Sequence, residues 1–401
     1  YIRANGSVYP STAPILRDGD LYTLTGNINS DYDGIWIEKN NVILDGAWYT
    51  VQGQGRWGSS GIYLQGRSNV TVRNIEVSGF ETGIETYESS CGGIFGNTLT
   101  ENSQGIWLFS SSTTSVEGNI AAYNLNGIVL SMASSNNIYG NIMQENNGSG
   151  INLYSSSCNS IVGNRIVGKS EWENGIWLGS SKNNTISGND IANNYRGIGL
   201  ASSSYNRISG NNITAYDSFG IDIGGSLWNS IVGNNIVGNN GWENGIWLSA
   251  SSDNMICGND IANNRWGISL DSSSNNILYH NNFMNNAQQV YIYNSANIWD
   301  DDYPSGGNYW SDYTGGDSNN DDIGDTPYII DADNIDRYPS MNSWASTVYL
   351  YPSTIVTEAG KTVNVSITAS RSQNLWAWQA GIQWDSATLE YVSCTWGEFQ
   401  A

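Results

Sequence analysis

Six acidic residues and two arginines are the groups in this chain that could do acid–base chemistry: Asp190, Asp222, Asp260, Glu171, Glu173, Glu243, Arg196 and Arg265. Cleavage of a bond between two sugar rings needs a pair of carboxyls at a defined separation. Asp190 and Asp260 stand in two copies of one Gly-Asn-Asp motif, and residues repeated in this way serve the scaffold. No set of carboxylates with a base converges in the sequence, so an enzymatic role is left open, with the balance against it. A second chemistry is cation binding. Asp317, Asn319, Asp321 and Asp325 put oxygens at alternate positions, as calcium loops do. The run has Asp322 where an EF-hand has glycine and no glutamate at its twelfth position. A structural Ca²⁺ is expected there, with Asp300, Asp301 and Asp302 as a weaker second place. Soft-metal ligands are sparse: one histidine, His280, and five methionines scattered along the chain.

These residues are positioned by a repeat. Gly-Ile recurs at Gly34, Gly61, Gly83, Gly105, Gly127, Gly150, Gly175, Gly197, Gly220, Gly245 and Gly267, and subtraction gives steps of 22 to 27 residues. A period in this range means a solenoid. Asparagines run in phase at Asn74, Asn97, Asn119, Asn141, Asn164, Asn189, Asn211, Asn234, Asn259 and Asn281. The runs between these markers alternate apolar and polar, are β-branched, and are bounded by Gly, Asn and Ser, which reads as strand and turn. Three short strands and three turns fill one repeat. The expected fold is all-β: a right-handed parallel β-helix of about twelve rungs, followed by part of an antiparallel β-sandwich. The asparagines are expected to stack as a side-chain ladder.

A longer period overlies the short one. Residues 160–204 closely match residues 230–274, an offset of 70, or three rungs. The outward residue between the two buried positions of each Gly-Ile strand runs Trp36, Tyr63, Glu85, Trp107, Val129, Asn152, Trp177, Gly199, Asp222, Trp247, Ser269, Tyr291. Tryptophan therefore returns every third rung, about 14 Å apart at the spacing of stacked strands. Trp172 and Trp242, in matching insertions, are expected near the same face. Trp36, Trp107, Trp172, Trp177, Trp242 and Trp247 form the candidate contact or carbohydrate face, because an exposed aromatic row on a soluble protein marks a contact surface.

Composition narrows the partners. Lys plus Arg is 15 against 37 Asp plus Glu, a net charge of −22, which argues against nucleic acid and anionic membrane surfaces. No apolar run is long enough to span a membrane. The chain begins at Tyr1, which suggests a processed or trimmed N-terminus. Asn5, Asn69, Asn147, Asn183, Asn212 and Asn364 each open an Asn-X-Ser/Thr sequon, weak support for an extracellular glycoprotein. Cys91, Cys158, Cys257 and Cys394 show no disulfide framework and are read as buried or unpaired. Four segments are expected: an N-terminal cap over 1–30, the β-helix over 31–298, an acidic C-terminal cap over 299–344, and a partial sandwich over 345–401.

The repeats, together with GNYWSDYTGGDSNNDDIGDTPYIIDADNIDRYP, resemble the NosD-type parallel β-helix repeat proteins, also described as carbohydrate-binding and sugar-hydrolase β-helix domains. The resemblance covers roughly residues 30 to 341, and the acidic run is its specific part. From Val348, the AGKTVNVSI and AGIQWDSATLEYV stretches resemble the opening strands of a cohesin-like β-sandwich. The resemblance implies a multi-modular cell-surface protein. The expected function is therefore extracellular, structural or adhesive, with self-assembly through the β-helix faces and the tail. Partners would be other copies of the chain or other surface proteins. The alternative is a glycan-binding module, or a polysaccharide lyase or glycoside hydrolase, acting on the Trp-lined face. The copper role in the family name requires clusters of His, Met or Cys, which the sequence lacks.

Overall fold

The computed structural model describes residues 1–169, 173–239 and 241–344, together with the backbone of two strands, Val348–Tyr351 and Ser366–Ala369. It is a right-handed parallel β-helix. Three sheets wrap the core, with 12, 13 and 13 strands. Sheet I holds the Gly-Ile strands, from Ile35–Ile37 to Gln288–Tyr293. Sheet II runs from Ile15–Asp18 to Ile277–Tyr279, and sheet III from Ile28–Asn29 to Tyr309–Trp310. Every pairing in the three sheets is parallel except Ile15–Asp18 with Leu21–Leu24. Parallel stacking therefore already includes Leu21–Leu24 and Ile28–Asn29, inside the segment expected to be the cap.

The Gly-Ile dipeptide has a steric cause. A Cβ at Gly105 would lie 2.6 Å from the carbonyl oxygen of Gly127, and one at Gly127 would lie 2.5 Å from that of Gly150. The backbone of the next coil thus closes off any side chain at this corner. The isoleucine that follows points inward, and Ile84, Ile106, Ile128, Ile151, Ile176, Ile198 and Ile221 form one fully buried stack. Burying each such side chain contributes roughly 1.5–3 kcal/mol.

The polar turns are held by more ladders than the single one expected. The expected ladder runs Asn97, Asn119, Asn141, Asn164, Asn189, Asn211, Asn234, Asn259, Asn281 and continues to Asn308 in the cap. Asn74 stands outside it and donates to Asp45. A second ladder joins Asn136, Asn159, Asn184, Asn206, Asn229, Asn254, Asn276 and Asn297. A serine ladder at the adjoining corner includes Ser156, Ser181, Ser203, Ser226, Ser251 and Ser273, each hydroxyl accepting the backbone N–H of the serine or alanine one coil earlier. A third asparagine column, at the corner entering sheet I, links Asn102, Asn124 and Asn146. It resumes at Asn264 and Asn286.

Both ends are closed. Ile2 donates to the Trp36 carbonyl at 2.8 Å and accepts from the Glu38 N–H at 2.8 Å, capping sheet I. At the other end the buried Trp310 ring stacks on Phe283, 4.5 Å away, and Tyr328 stacks on Trp310 at 4.3 Å. Asp336 is the hub of this cap. Its carboxylate accepts from Asn308 N (2.7 Å), Trp310 Nε1 (2.8 Å) and Tyr338 N (3.1 Å). Burial nonetheless pushes its pKa up to about 7. Beyond the cap, Val348–Tyr351 pairs antiparallel with Ser366–Ala369. The rest of the expected sandwich, with Asn364 and Cys394, lies outside the described residues.

Asn211 tests the ladder. It is 1% exposed, its Oδ1 accepts from Asn189 N and Nδ2, and its Nδ2 donates to Ile186 O and Asn234 Oδ1. Asn211→Ala orphans several buried groups and is expected to cost about 2–4 kcal/mol. Asn235→Ala, at an exposed position, is expected to stay within about 0.5 kcal/mol of wild type. Urea unfolding of the two variants checks the contrast.

Candidate functional site

The outer face of sheet I carries three parallel columns. The strand register places Trp36, Tyr63, Glu85, Trp107, Val129, Asn152, Trp177, Gly199, Asp222, Trp247, Ser269 and Tyr291 in one line, as expected. A second column is the residue just before each Gly-Ile: Gln104, Asn126, then Asn174, Arg196, Phe219, Asn244 and Trp266. The third column, two residues beyond the middle one, includes Phe109, Ser131, Tyr154, Gly179, Ala201, Gly224 and Ser249.

The indoles do not stand out from this face; they lie along it. Trp36, Trp107, Trp177 and Trp247 are half-buried. A Cβ at Gly199 would come within 2.5 Å of the Trp177 ring, so the indole rests on the next coil. Trp107 donates from Nε1 to Ser131 Oγ at 3.1 Å. Trp247 stacks on Phe219 with centroids 4.6 Å apart. Tyr1 stacks on Trp36 at 5.5 Å and closes the row at the N-terminal end. Of the insertion tryptophans, Trp242 is 75% exposed and Trp172 lies outside the described residues.

Between Trp177 and Trp247 the middle column drops to the smaller Gly199 and Asp222, a bay in the row of indoles. Its floor is Gly199 and Asp222, one side is Arg196 and Phe219, and the other side is small: Gly179, Ala201, Gly224 and Ser249. Arg196 Nε lies 2.8 Å from Asp222 Oδ2. The two groups form an ion pair. Asp222 is 8% exposed; burial pushes its pKa up to about 6, although Arg196 pulls it back. The neighbouring bay, between Trp107 and Trp177, has Val129 and Asn152 on its floor, with Asn126 beside them. Asn152 Nδ2 is 3.4 Å from Asn126 Oδ1, and Asn152 Oδ1 has no protein partner.

The other expected residues fall elsewhere. Asp190 and Asp260 lie on sheet III, away from the three-column outer face of sheet I, hereafter the trough, and Asn212 and Asn282 donate to them. Glu173 and Glu243 are buried in the turns entering sheet I. Glu171 is outside the described residues. Arg265 lies over the Trp266 ring, 4.3 Å from its centroid. A group unmarked by the sequence lies near the N-terminal end. Ser60 donates from Oγ to Glu85 Oε2 (2.5 Å) and from N to Asp33 Oδ1 (2.9 Å). Burial raises the pKa of both carboxyls. The signal missed was the position before each Gly, which holds Ser60 as it holds Arg196.

At the cap loop, Asp317 accepts from the N–H groups of Asp321 and Asp322, Asp321 from Ile323 N and Asn319 Nδ2, and Asp325 from Ser318 N. The four residues expected to bind calcium thus share one loop, with the three aspartate carboxylates turned onto its backbone and onto the Asn319 amide. Among the described residues no three His, Cys, Asp or Glu side chains are grouped as metal ligands. His280 packs on Trp344, 3.8 Å between centroids, and its Nε2 is 2.9 Å from Ser305 O, so it fits a turn and not a copper site. Cys91, Cys158 and Cys257 are unpaired, and the first two are exposed, not buried, because they occupy left-handed turn positions. The sequon asparagines Asn5, Asn69, Asn147, Asn183 and Asn212 are all exposed.

Residues 26–191 match the right handed beta helix region model, and residues 169–315 match the model described as periplasmic copper-binding protein (NosD). The middle of the chain is therefore similar to the NosD family, and the fold is a right-handed parallel β-helix. No curated protein sequence matches the chain. Among solved structures, the chain is similar to the A-module of the mannuronan C-5 epimerase AlgE6 from Azotobacter vinelandii. The two are 17% identical with a TM-score of 0.55, over 69% of this chain and 87% of that one. It is also similar to the catalytic domain of a GH87 alpha-1,3-glucanase in complex with nigerose, at 13% identity and TM-score 0.51, over 71% of this chain and 63% of that one. These are likenesses of fold. The ligand set described above does not suit copper, despite the family description.

Asp222 gives the trough a pH signature. Its folded pKa of about 6 lies above the unfolded carboxylate value of about 3.9. The stability it contributes is therefore present at low pH and lost as pH rises through 6. Between about pH 4 and pH 8, wild type is expected to lose about 2–3 kcal/mol relative to Asp222→Asn. Urea midpoints of both proteins at the two pH values measure the difference.

Proposed function

We propose that this chain is a carbohydrate-binding β-helix acting outside the cytoplasm, and that an extended glycan lies along the trough of sheet I. The observation that carries this reading is the row of half-buried indoles, Trp107, Trp177 and Trp247, returning every three coils with uncharged or paired side chains on the coils between. Flat rings laid along a surface offer the apolar faces of sugar rings something to stack on, and amides and a carboxylate between them suit hydroxyls. The rise of about 4.8 Å per coil is comparable to the length of one pyranose unit in a chain. The fold-level likeness to proteins whose names mention polysaccharides is consistent with this reading.

The trough is preferred over the self-assembling surface role because its indoles lie in register along one sheet of the β-helix itself. Glycosylation at the exposed sequons would fit the same location outside the cytoplasm. Affinity electrophoresis against a panel of soluble polysaccharides tests the proposal. Trp177→Ala and Trp247→Ala are each expected to weaken binding about tenfold. Trp228→Ala, an exposed indole in the turn after sheet I strand Phe219–Gly224, is expected to change nothing. Unaltered binding by both trough variants would sink the reading.

Calcium at Asp317, Asn319, Asp321 and Asp325 is a separate proposal. Binding would require these carboxylates to turn from backbone N–H groups to the ion. A melting temperature raised by millimolar Ca²⁺ in wild type, and unmoved in Asp317→Asn, is the expected result; identical melts in Ca²⁺ and EDTA would count against it.

A further inference from the structure

The three columns of the trough contain one cation. Gln, Asn, Ser, Phe, Trp, Gly and Ala fill most of the remaining positions, and Arg196 alone carries a positive charge. Its guanidinium is held without being used up. Tyr195 and Phe219 rings flank it at 5.2 and 5.7 Å, a pair of cation–π contacts that fix its plane. Asp222 pairs with the guanidinium at its Nε edge. The two terminal nitrogens have no acceptor among the described residues. An arginine normally spends its five donors on carboxylates, carbonyls or water, and its terminal fork matches a carboxylate or sulfate in two-point geometry.

The 70-residue repeat supplies the comparison. Asn126 and Asn152 stand 70 residues before Arg196 and Asp222, and they occupy the same places in the preceding bay. There an amide faces an amide, with no net charge and no fork. In the following bay the corresponding side chains are Trp266 and Tyr291, stacked at 4.7 Å. Equivalent positions three coils apart therefore present three chemistries: neutral polar, ionic and aromatic. Only the middle one is equipped to read an anion.

Resting on the trough reading above, we infer that the bay between Trp177 and Trp247 is a subsite for an acidic sugar, whose carboxylate or sulfate is taken by the terminal fork of Arg196. The small side, Gly179, Ala201, Gly224 and Ser249, leaves room for the ring that bears the charge. Asp222 holds the arginine in place from behind and limits the site to an anion that can compete for it. The glycan bound would then be one that carries acidic residues and is tolerated by neutral bays on either side.

The test uses matched pairs of soluble polysaccharides, each an acidic polymer and its carboxyl-reduced or desulfated derivative, so that only the charge differs. Wild type is expected to bind at least one acidic polymer about tenfold more tightly than its neutral counterpart. Arg196→Gln is expected to erase that preference while keeping the affinity for the neutral polymer, and Trp177→Ala to weaken both. Equal binding of the acidic and neutral members by wild type, or a preference that survives in Arg196→Gln, would overturn the inference while leaving the trough intact. Binding to no polymer of either kind would overturn the trough reading and the inference with it. Spectroscopic melting of Arg196→Gln confirms that the variant is folded before its binding is read.

Discussion

The close approach of one coil to the next is the constraint on which everything else depends. Where the carbonyl of Gly127 sits 2.6 Å from the place a Cβ of Gly105 would occupy, only glycine fits, and the next residue must turn inward. Once that corner is fixed, the register of sheet I is fixed, and every outward residue falls above its counterpart one coil away. The asparagine and serine ladders do the same at the other corners, each side chain using its donors and acceptors on the coils before and after. Because these amides are buried, a coil cannot shift without stranding them, and stranded buried groups are costly. The trough is a consequence of this rigidity: side chains with no contact in sequence become a continuous surface.

Regular stacking also explains how a repeat can acquire different chemistries. The interior cannot vary much, since Ile176, Ile198, Ile221 and Ile246 fill one stack. The position before each glycine and the position between the two inward residues are free of that demand. Between one bay and the next, Asn126 and Asn152 are replaced by Arg196 and Asp222 with no change in backbone register. The insertions that carry Trp242 and the buried Glu173 and Glu243 interrupt the asparagine column at the mouth of the same strands. Variation is thus kept to outward positions, those of the trough among them.

Much of this was legible in the sequence, for a physical reason. Glycine at a steric corner and isoleucine in the stack leave no alternatives, so the period, the strand class, the rung count and the tryptophan register could all be read. The remainder depended on side-chain direction. Three of the four ladders were hidden because asparagine and serine are common throughout, and only hydrogen bonding distinguishes Asn136 or Ser181 from a solvent-facing neighbour. The indoles were expected to project, but Trp177 lies down over Gly199, where a missing side chain makes room. The pairing of Arg196 with Asp222 joins residues 26 apart in different columns, a relation that no single-column reading reveals. Ser60, Glu85 and Asp33 are likewise three residues from three coils.

Net charge and local charge pull in opposite directions on this molecule. At −22 the surface as a whole repels anions, yet the trough has almost no acidic side chains near its middle other than Asp222, which the arginine partly neutralises. Screening over about 8–10 Å at ordinary ionic strength separates the two scales. Distant carboxylates on the cap and turns slow the approach of an acidic chain, while contact within the bay is decided by Arg196 and the rings beside it. On the proposed reading, a neutral glycan would feel neither effect and would be held by stacking and hydroxyl contacts alone. The acidity that argued against nucleic acid as a partner therefore does not argue against an acidic sugar: a duplex presents a continuous line of phosphates to the global field, whereas a single sugar carboxylate meets one fork in a bay otherwise lined by uncharged groups.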